Sequence, residues 1–242
     1  MAEELPEVER FERQDFIENY FHYKPGEHVT FVGATGSGKT YLAYQLLNEV
    51  TTPELPGIVL VMKPVDETAS KWNKKLGYKI IRSWPPMKSI WEPKKPRGYT
   101  LWPGRSGDFE NDELAQYEQF NRAIRMSYAN KKSQEIIFAD ELYSLCKELG
   151  LEKTLIHVWT KGRSMKLGLW GATQKPTHVP LWAYNQAQHL FLSYEPDMVA
   201  RKRFGEFGGV NPKLVEDVVS KLDKHEWLYI RRDGPVMAIV GK

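Results

Sequence analysis

The sequence predicts an α/β fold, a mostly parallel sheet covered by helices on both faces, and three observations carry that prediction. Short, continuously apolar runs, at residues 58–62 and 136–139 above all, have the composition of strands buried on both faces. Such runs alternate with stretches of helical spacing, the order that builds parallel sheets from crossover units. Between the first β-rich run and the first helical stretch lies Gly33-Ala34-Thr35-Gly36-Ser37-Gly38-Lys39-Thr40, which satisfies GxxxxGK[ST] and makes this a P-loop protein.

Taken in order, residues 1–27 read as a polar, helix-prone lead-in ending at the turn signal Pro25-Gly26. Residues 28–242 read as one domain. A β-rich run at 28–32 precedes the glycine loop. A helix follows over 41–49, with Leu42, Tyr44, Leu46 and Leu47 at helical spacing, and then a buried strand at 57–62. Residues 71–111 break the rhythm with Trp72, Trp84, Trp91 and Trp102, the punctuations Pro85-Pro86 and Pro103-Gly104, and the basic residues Lys94, Lys95, Arg97 and Arg105. A disordered linker rarely holds so many aromatics, so this is read as an elaborated insertion with short strands at 78–81 and 99–102. Beyond it the pattern predicts a helix over 113–128, a strand over 135–139 ending in Asp140-Glu141, and a helix over 153–160. A strand over 167–172 leads to Gln174, and another covers 189–194. The C-terminal part, 195–242, supplies helices at 197–204 and 212–222 and a β-hairpin of 226–230 with 236–240 through Asp233-Gly234. No internal repeat or low-complexity tract is present.

Composition narrows the functional classes. Hydrophobic residues at 41 % and charged residues at 27 % are ordinary for a globular domain. The longest apolar run is far too short to cross a bilayer, and the acidic N-terminus lacks the basic and apolar regions of a signal peptide. The single cysteine, Cys146, excludes an internal disulfide and reads as a small core residue. The expectation is a soluble, intracellular protein, in the cytoplasm of a host cell if it is viral. It would remain free to dock on a membrane-bound or capsid partner. A net charge of +3 is compatible with a polyanionic partner but does not argue for one, and the six histidines show no metal-ligand spacing.

The chemistry concentrates in three motifs. In the glycine loop, consecutive backbone N–H groups can turn inward to cradle phosphates, with the positive end of the following helix aimed at them. Lys39 reaches the β- and γ-phosphates of ATP, and the Thr40 hydroxyl is a ligand for Mg²⁺. Hydrolysis needs a second, carboxylate site. Asp140 at the end of its strand would hold Mg²⁺, and Glu141 would orient and polarise the attacking water. The bland alternative is an acidic helix N-cap. Gln174, a neutral amide able to donate and accept, suits sensing of the γ-phosphate or its water, against an ordinary loop amide. Arg163 is a candidate finger for a transferring phosphoryl group, against a surface arginine.

Together, GATGSGKT after a strand, the strand IIFADE, and the segment GRSMKLGLWGATQ resemble the FtsK–HerA superfamily of DNA-pumping P-loop ATPases over roughly residues 28–194. Within it the chain looks most like viral and phage genome-packaging ATPases. The resemblance implies a RecA/ASCE-like P-loop NTPase sheet in which the strand ending at Gln174 lies between the phosphate-loop strand and the Asp140 strand. It also implies ATP and Mg²⁺ as cofactors, and homo-oligomeric rings with arginines acting across the subunit boundary. Departures matter too. The membrane domain of cell-division translocases, the barrel of the HerA type and the nuclease domain of large terminases all find no room. The expectation is a motor core that packages unit-length genomes. The stretch 71–111 matches no motif of the family.

A translocase needs phosphate-directed charge and no base-reading motif. Family loops after the second strand tend to face the channel, which points to Lys71, Lys74 and Lys75 as double-stranded DNA contacts. The basic residues Arg122, Arg125, Lys131-Lys132, Arg201-Lys202-Arg203 and Arg231-Arg232 are further candidates, each more simply solvated charge. Arg201 to Arg203 could equally make a subunit contact, and a capsid portal or vertex protein is a possible partner. Competing readings are a cellular or plasmid translocase for conjugation or segregation, a filamentous-phage assembly ATPase, and a non-motor regulator.

Overall fold

A computed structural model describes residues 7–87, 95–130, 134–174, 181–205, 210–234 and 236–242. Trp91, Lys94, Lys131 and Lys132 lie outside the described residues.

The lead-in holds a two-residue strand, β1 (Arg10–Phe11), a helical turn, α1 (Arg13–Asp15), and a wider turn over Phe16–Tyr20. It is therefore less helical than its polar composition suggests. Phe16 and Phe21 explain why: both insert against Phe191 and Tyr229 of the sheet.

The core follows the predicted alternation. β2 (Val29–Val32) leads through the glycine loop into α2 (Lys39–Val50), then β3 (Gly57–Leu60) and α3 (Glu67–Leu76). β4 (Lys79–Ile81) and β5 (Gly98–Leu101) come from the tryptophan-rich stretch. α4 (Phe109–Ala129) starts four residues earlier than its apolar spacing indicates, because the Asp108 carboxylate caps it by accepting from the Asn111 N–H at 2.9 Å. There follow β6 (Glu135–Ala139), α5 (Glu152–Lys161), β7 (Leu167–Thr173), α6 (Leu181–Asn185), which the sequence pattern does not show, and β8 (His189–Ser193). α7 (Met198–Phe204), α8 (Pro212–Lys221) and the hairpin β9 (Trp227–Arg231) with β10 (Val236–Val240) complete the chain.

Among the described residues these strands form one sheet in the order β1-β10-β9-β8-β2-β7-β6-β3-β5-β4. From β8 to β4 every pairing is parallel, and the terminal hairpin adds to β8 antiparallel. Strand pleating divides the core into two layers. Ile136 and Phe138 of β6 join Leu42, Leu46 and Trp72 of α2 and α3 on one face. Ile137 and Ala139 join Phe120, Leu155 and Val215 of α4, α5 and α8 on the other. The tryptophan-rich stretch is no excursion from this plan, since β5 pairs directly with β3, Ile58 opposite Tyr99, and β4 closes the edge. No helix of the described residues is long and apolar enough to cross a membrane.

Candidate active site

The glycine loop, the Asp140-Glu141 pair and Gln174 come together where β2, β7, β6 and β3 end side by side. The chain leaves β2 at Val32 and turns through Gly36 and Gly38, both at positive φ (80° and 93°), a region costly for any residue with a Cβ. Gly33 is needed for another reason: a Cβ there would collide with the hydroxyl oxygens of Ser193 and Ser37. Gly38 caps α2 without a side-chain hydrogen bond, so the first-turn N–H groups and the helix dipole are available to an anion. The Ser37 hydroxyl is buried without a partner among the described residues, an unused polar atom in the wall of the loop.

Lys39 is only 8 % exposed and spans the loop, its Nζ donating to the carbonyls of Gly33 at 2.7 Å and Ala34 at 3.0 Å. Burial lowers its pKa, against the opposing pull of Asp140 and Glu141. Thr40 Oγ1 donates to Asp140 Oδ1 at 2.6 Å, and Lys63 Nζ approaches the other oxygen, Oδ2, at 3.3 Å. Beside them the Gln174 amide donates to Glu141 Oε2 at 3.0 Å while its carbonyl accepts from Thr35 Oγ1 at 3.0 Å. Burial raises the Glu141 pKa above the usual carboxylate range, more than the Gln174 hydrogen bond and the Lys39 charge lower it.

These groups line a cleft of about 230 Å³. A hard cation with oxygen ligands fits the pairing of Thr40 with Asp140, and an anion fits the loop. Across the loop a second cleft, about 350 Å³, is lined by Ser193, Tyr194, Lys224 and His225. The His225 ring contacts the Ser37 carbonyl at 3.1 Å, and Arg13 of the lead-in donates to the carbonyls of His225 and, at 2.9 Å, of Gly241. A larger groove of about 690 Å³ between the lead-in and α8 holds none of the phosphate-directed groups.

The remaining candidates lie elsewhere. Arg163 sits in the turn Gly162–Met165 before β7 and pairs with Asp233 at 3.5 Å. The seven residues of β7 separate it from Gln174 by about 23 Å at the rise of a strand, so it cannot reach its own chain's cleft. Lys71, Lys74 and Lys75 are exposed on α3; Lys71 pairs with Glu67 at 3.8 Å and Lys75 lies 4.5 Å from the centre of the Trp72 ring. Arg201 closes the turn after β8, donating to the carbonyls of Glu195 and Pro196, both at 2.8 Å, with Arg203 on the same helix. Sequence reasoning passed over Lys63, Ser193 and His225. For Lys63 a signal existed, its place just past the end of a parallel strand, where ligands gather in open α/β sheets.

No protein-family model and no curated protein matches this chain. Solved structures do. The genome packaging NTPase B204 from Sulfolobus turreted icosahedral virus 2, in complex with ATP-γS, is 16 % identical over 90 % of this chain and 98 % of its own, with a TM-score of 0.60. VirB4 of Thermoanaerobacter pseudethanolicus is 9 % identical over 89 % of each chain, with a TM-score of 0.64. The pCW3 conjugation coupling protein TcpA is 14 % identical over 93 % of this chain and 60 % of its own, with a TM-score of 0.52. The chain therefore shares the fold of these proteins, a P-loop NTPase fold, and its sheet has the central strand order β2-β7-β6 that the resemblance implied.

Proposed function

We propose that this chain is an ATP-hydrolysing motor subunit that moves double-stranded DNA, packaging a viral genome into a procapsid. The observation that carries hydrolysis is the Thr35–Gln174–Glu141 chain of hydrogen bonds, which ties a half-buried, strengthened base to the phosphate loop. Lys39 and the N-terminus of α2 bind the phosphates, Glu141 takes the water's proton, and Gln174 holds that carboxylate in orientation. Thr40 and Asp140 would hold Mg²⁺, which supplies charge neutralisation on the phosphates when bound. The cleft across the loop, walled by Tyr194 and His225, has room for base and sugar.

The packaging reading is supported by the likeness to B204, whose chain this one nearly matches in extent. The proposed assembly is a homo-oligomeric ring docked on a capsid portal or vertex, with Lys71, Lys74 and Lys75 facing DNA phosphates. A cellular or plasmid translocase is the second reading, favoured by the likeness to VirB4 and TcpA. ATPase assays with and without duplex DNA test the motor: stimulation that falls steeply with salt and ignores sequence is expected, and no stimulation would end that reading. A capsid gene beside this one would separate packaging from conjugation.

A further inference from the structure

We propose that Lys63 is a second phosphate-binding lysine, acting within its own chain on the terminal phosphate of bound ATP. The inference rests on the ATPase reading and extends it to a residue that no nucleotide motif contains. Lys63 lies just past β3, whose end adjoins that of β6, and it lines the same cleft as Lys39, Thr40, Asp140 and Glu141. Its ammonium is shared between Asp140 at 3.3 Å and Asp66 at 3.7 Å, so it can leave one carboxylate without losing the other.

Charge balance points the same way. Among the described residues lining the cleft, Lys39 and Lys63 offset Asp140 and Glu141. Without Lys63 the side chains lining the cleft would carry a net negative charge before a polyphosphate arrived. Position selects the phosphate. The loop rises from β2, and the strand order runs β2, β7, β6, β3, so Lys63 stands at the far side of the cleft, beyond Asp140. A phosphate chain anchored in the loop and directed at Asp140 and Glu141 presents its terminal group there.

The backbone is built to hold this lysine in place. The Trp102 indole N–H donates to the Lys63 carbonyl at 2.9 Å, and the Gln116 amide donates to the Met62 carbonyl at 3.1 Å. Asp66, the other partner, is itself fixed as the N-cap of α3 by the Ala69 N–H at 2.8 Å. The tryptophan-rich stretch thus acquires a role: Trp102 is a positioning residue for Lys63.

The test is the affinity of wild-type protein and variants for AMPPCP and for ADP, each with magnesium, measured by titration calorimetry. Lys63→Ala is expected to weaken AMPPCP about tenfold, the scale of one hydrogen bond to a charged group, and ADP far less. Lys63→Arg should restore part of the loss. Trp102→Phe, which removes the indole N–H donor and keeps a smaller aromatic ring, should show a smaller loss with the same preference. Equal losses for the two nucleotides, or none for either, would overturn the proposal while leaving the ATPase reading intact. Wild-type protein that bound neither nucleotide would remove both.

Discussion

The side-chain amide of Gln174 donates to the Glu141 carboxylate at 3.0 Å while its carbonyl accepts from the Thr35 hydroxyl at 3.0 Å. One side chain therefore joins the end of β7 to the phosphate loop and to the end of β6. Replacing Gln174 by Ala should cut turnover by about 10²-fold, the lower range for disturbing a positioned base, with ATP affinity nearly unchanged. Single-turnover rates beside equilibrium titrations separate the two. A loss confined to affinity would assign Gln174 to nucleotide binding instead.

Lys39→Ala and Glu141→Gln should both abolish turnover and differ in binding. The first removes the charge that spans the loop; the second leaves the loop intact and should trap ATP. Titration with a fluorescent ATP analogue checks this. Equal loss of affinity in both variants would count against the assigned roles.

Charge reversal at Lys71, Lys74 and Lys75 should weaken duplex DNA binding about equally for all sequences. Each phosphate contact removed should also reduce the salt dependence, log K against log salt, by about 0.9. The three lysines are exposed on one helix, so folding should be unaffected, as far-UV circular dichroism would show. An unchanged salt slope would move the DNA contacts to other basic residues.

Arg163 lies at the opposite end of β7 from Gln174, so a role in hydrolysis requires a neighbouring subunit's site. Inactive Arg163→Ala subunits mixed with inactive Glu141→Gln subunits should then regain activity, because some interfaces pair an intact arginine with an intact glutamate. Such an arginine is worth ~10³–10⁵ in rate in other phosphoryl-transfer enzymes. If mixed rings form and nothing returns, Arg163 is held by Asp233 for structure alone, and Arg201 or Arg203 becomes the candidate.

His28 should make the protein acid-sensitive. Its Nδ1 accepts from the Leu169 N–H at 3.0 Å, and burial depresses its pKa to about 4 from 6.5. The unfolded chain then holds the extra proton, so stability is complete above pH 6.5 and is lost as pH falls towards 4. The full loss is about 3 kcal/mol. Urea unfolding near pH 7.5 and near pH 5 should show it, and His28→Asn, which keeps an acceptor for Leu169, should flatten the difference. Identical pH dependence in both proteins would mean that His28 is not the group responsible.

By itself the sequence determined what depends on neighbours along the chain. The turn through Gly36 and Gly38 needs residues free of a Cβ, and that requirement is written in the glycine spacing. The buried strand ending in Asp140-Glu141 is equally local, an apolar run stopped by two carboxylates. Gln174 could be placed at a strand end, but its two partners lie 33 and 139 residues away, and only the pairing of β7 between β2 and β6 brings them within reach. Similarly, residues 78–81 and 99–102 show as short strands, yet nothing in their spacing says that β5 will pair with β3 and hold Trp102 over Lys63. The distance from Arg163 to the cleft, by contrast, was legible, because the strand predicted over 167–172 already sets Arg163 and Gln174 at its opposite ends. Local backbone preference shows which elements form. Which ends meet is decided by the order of parallel pairing, a property of contacts between distant segments.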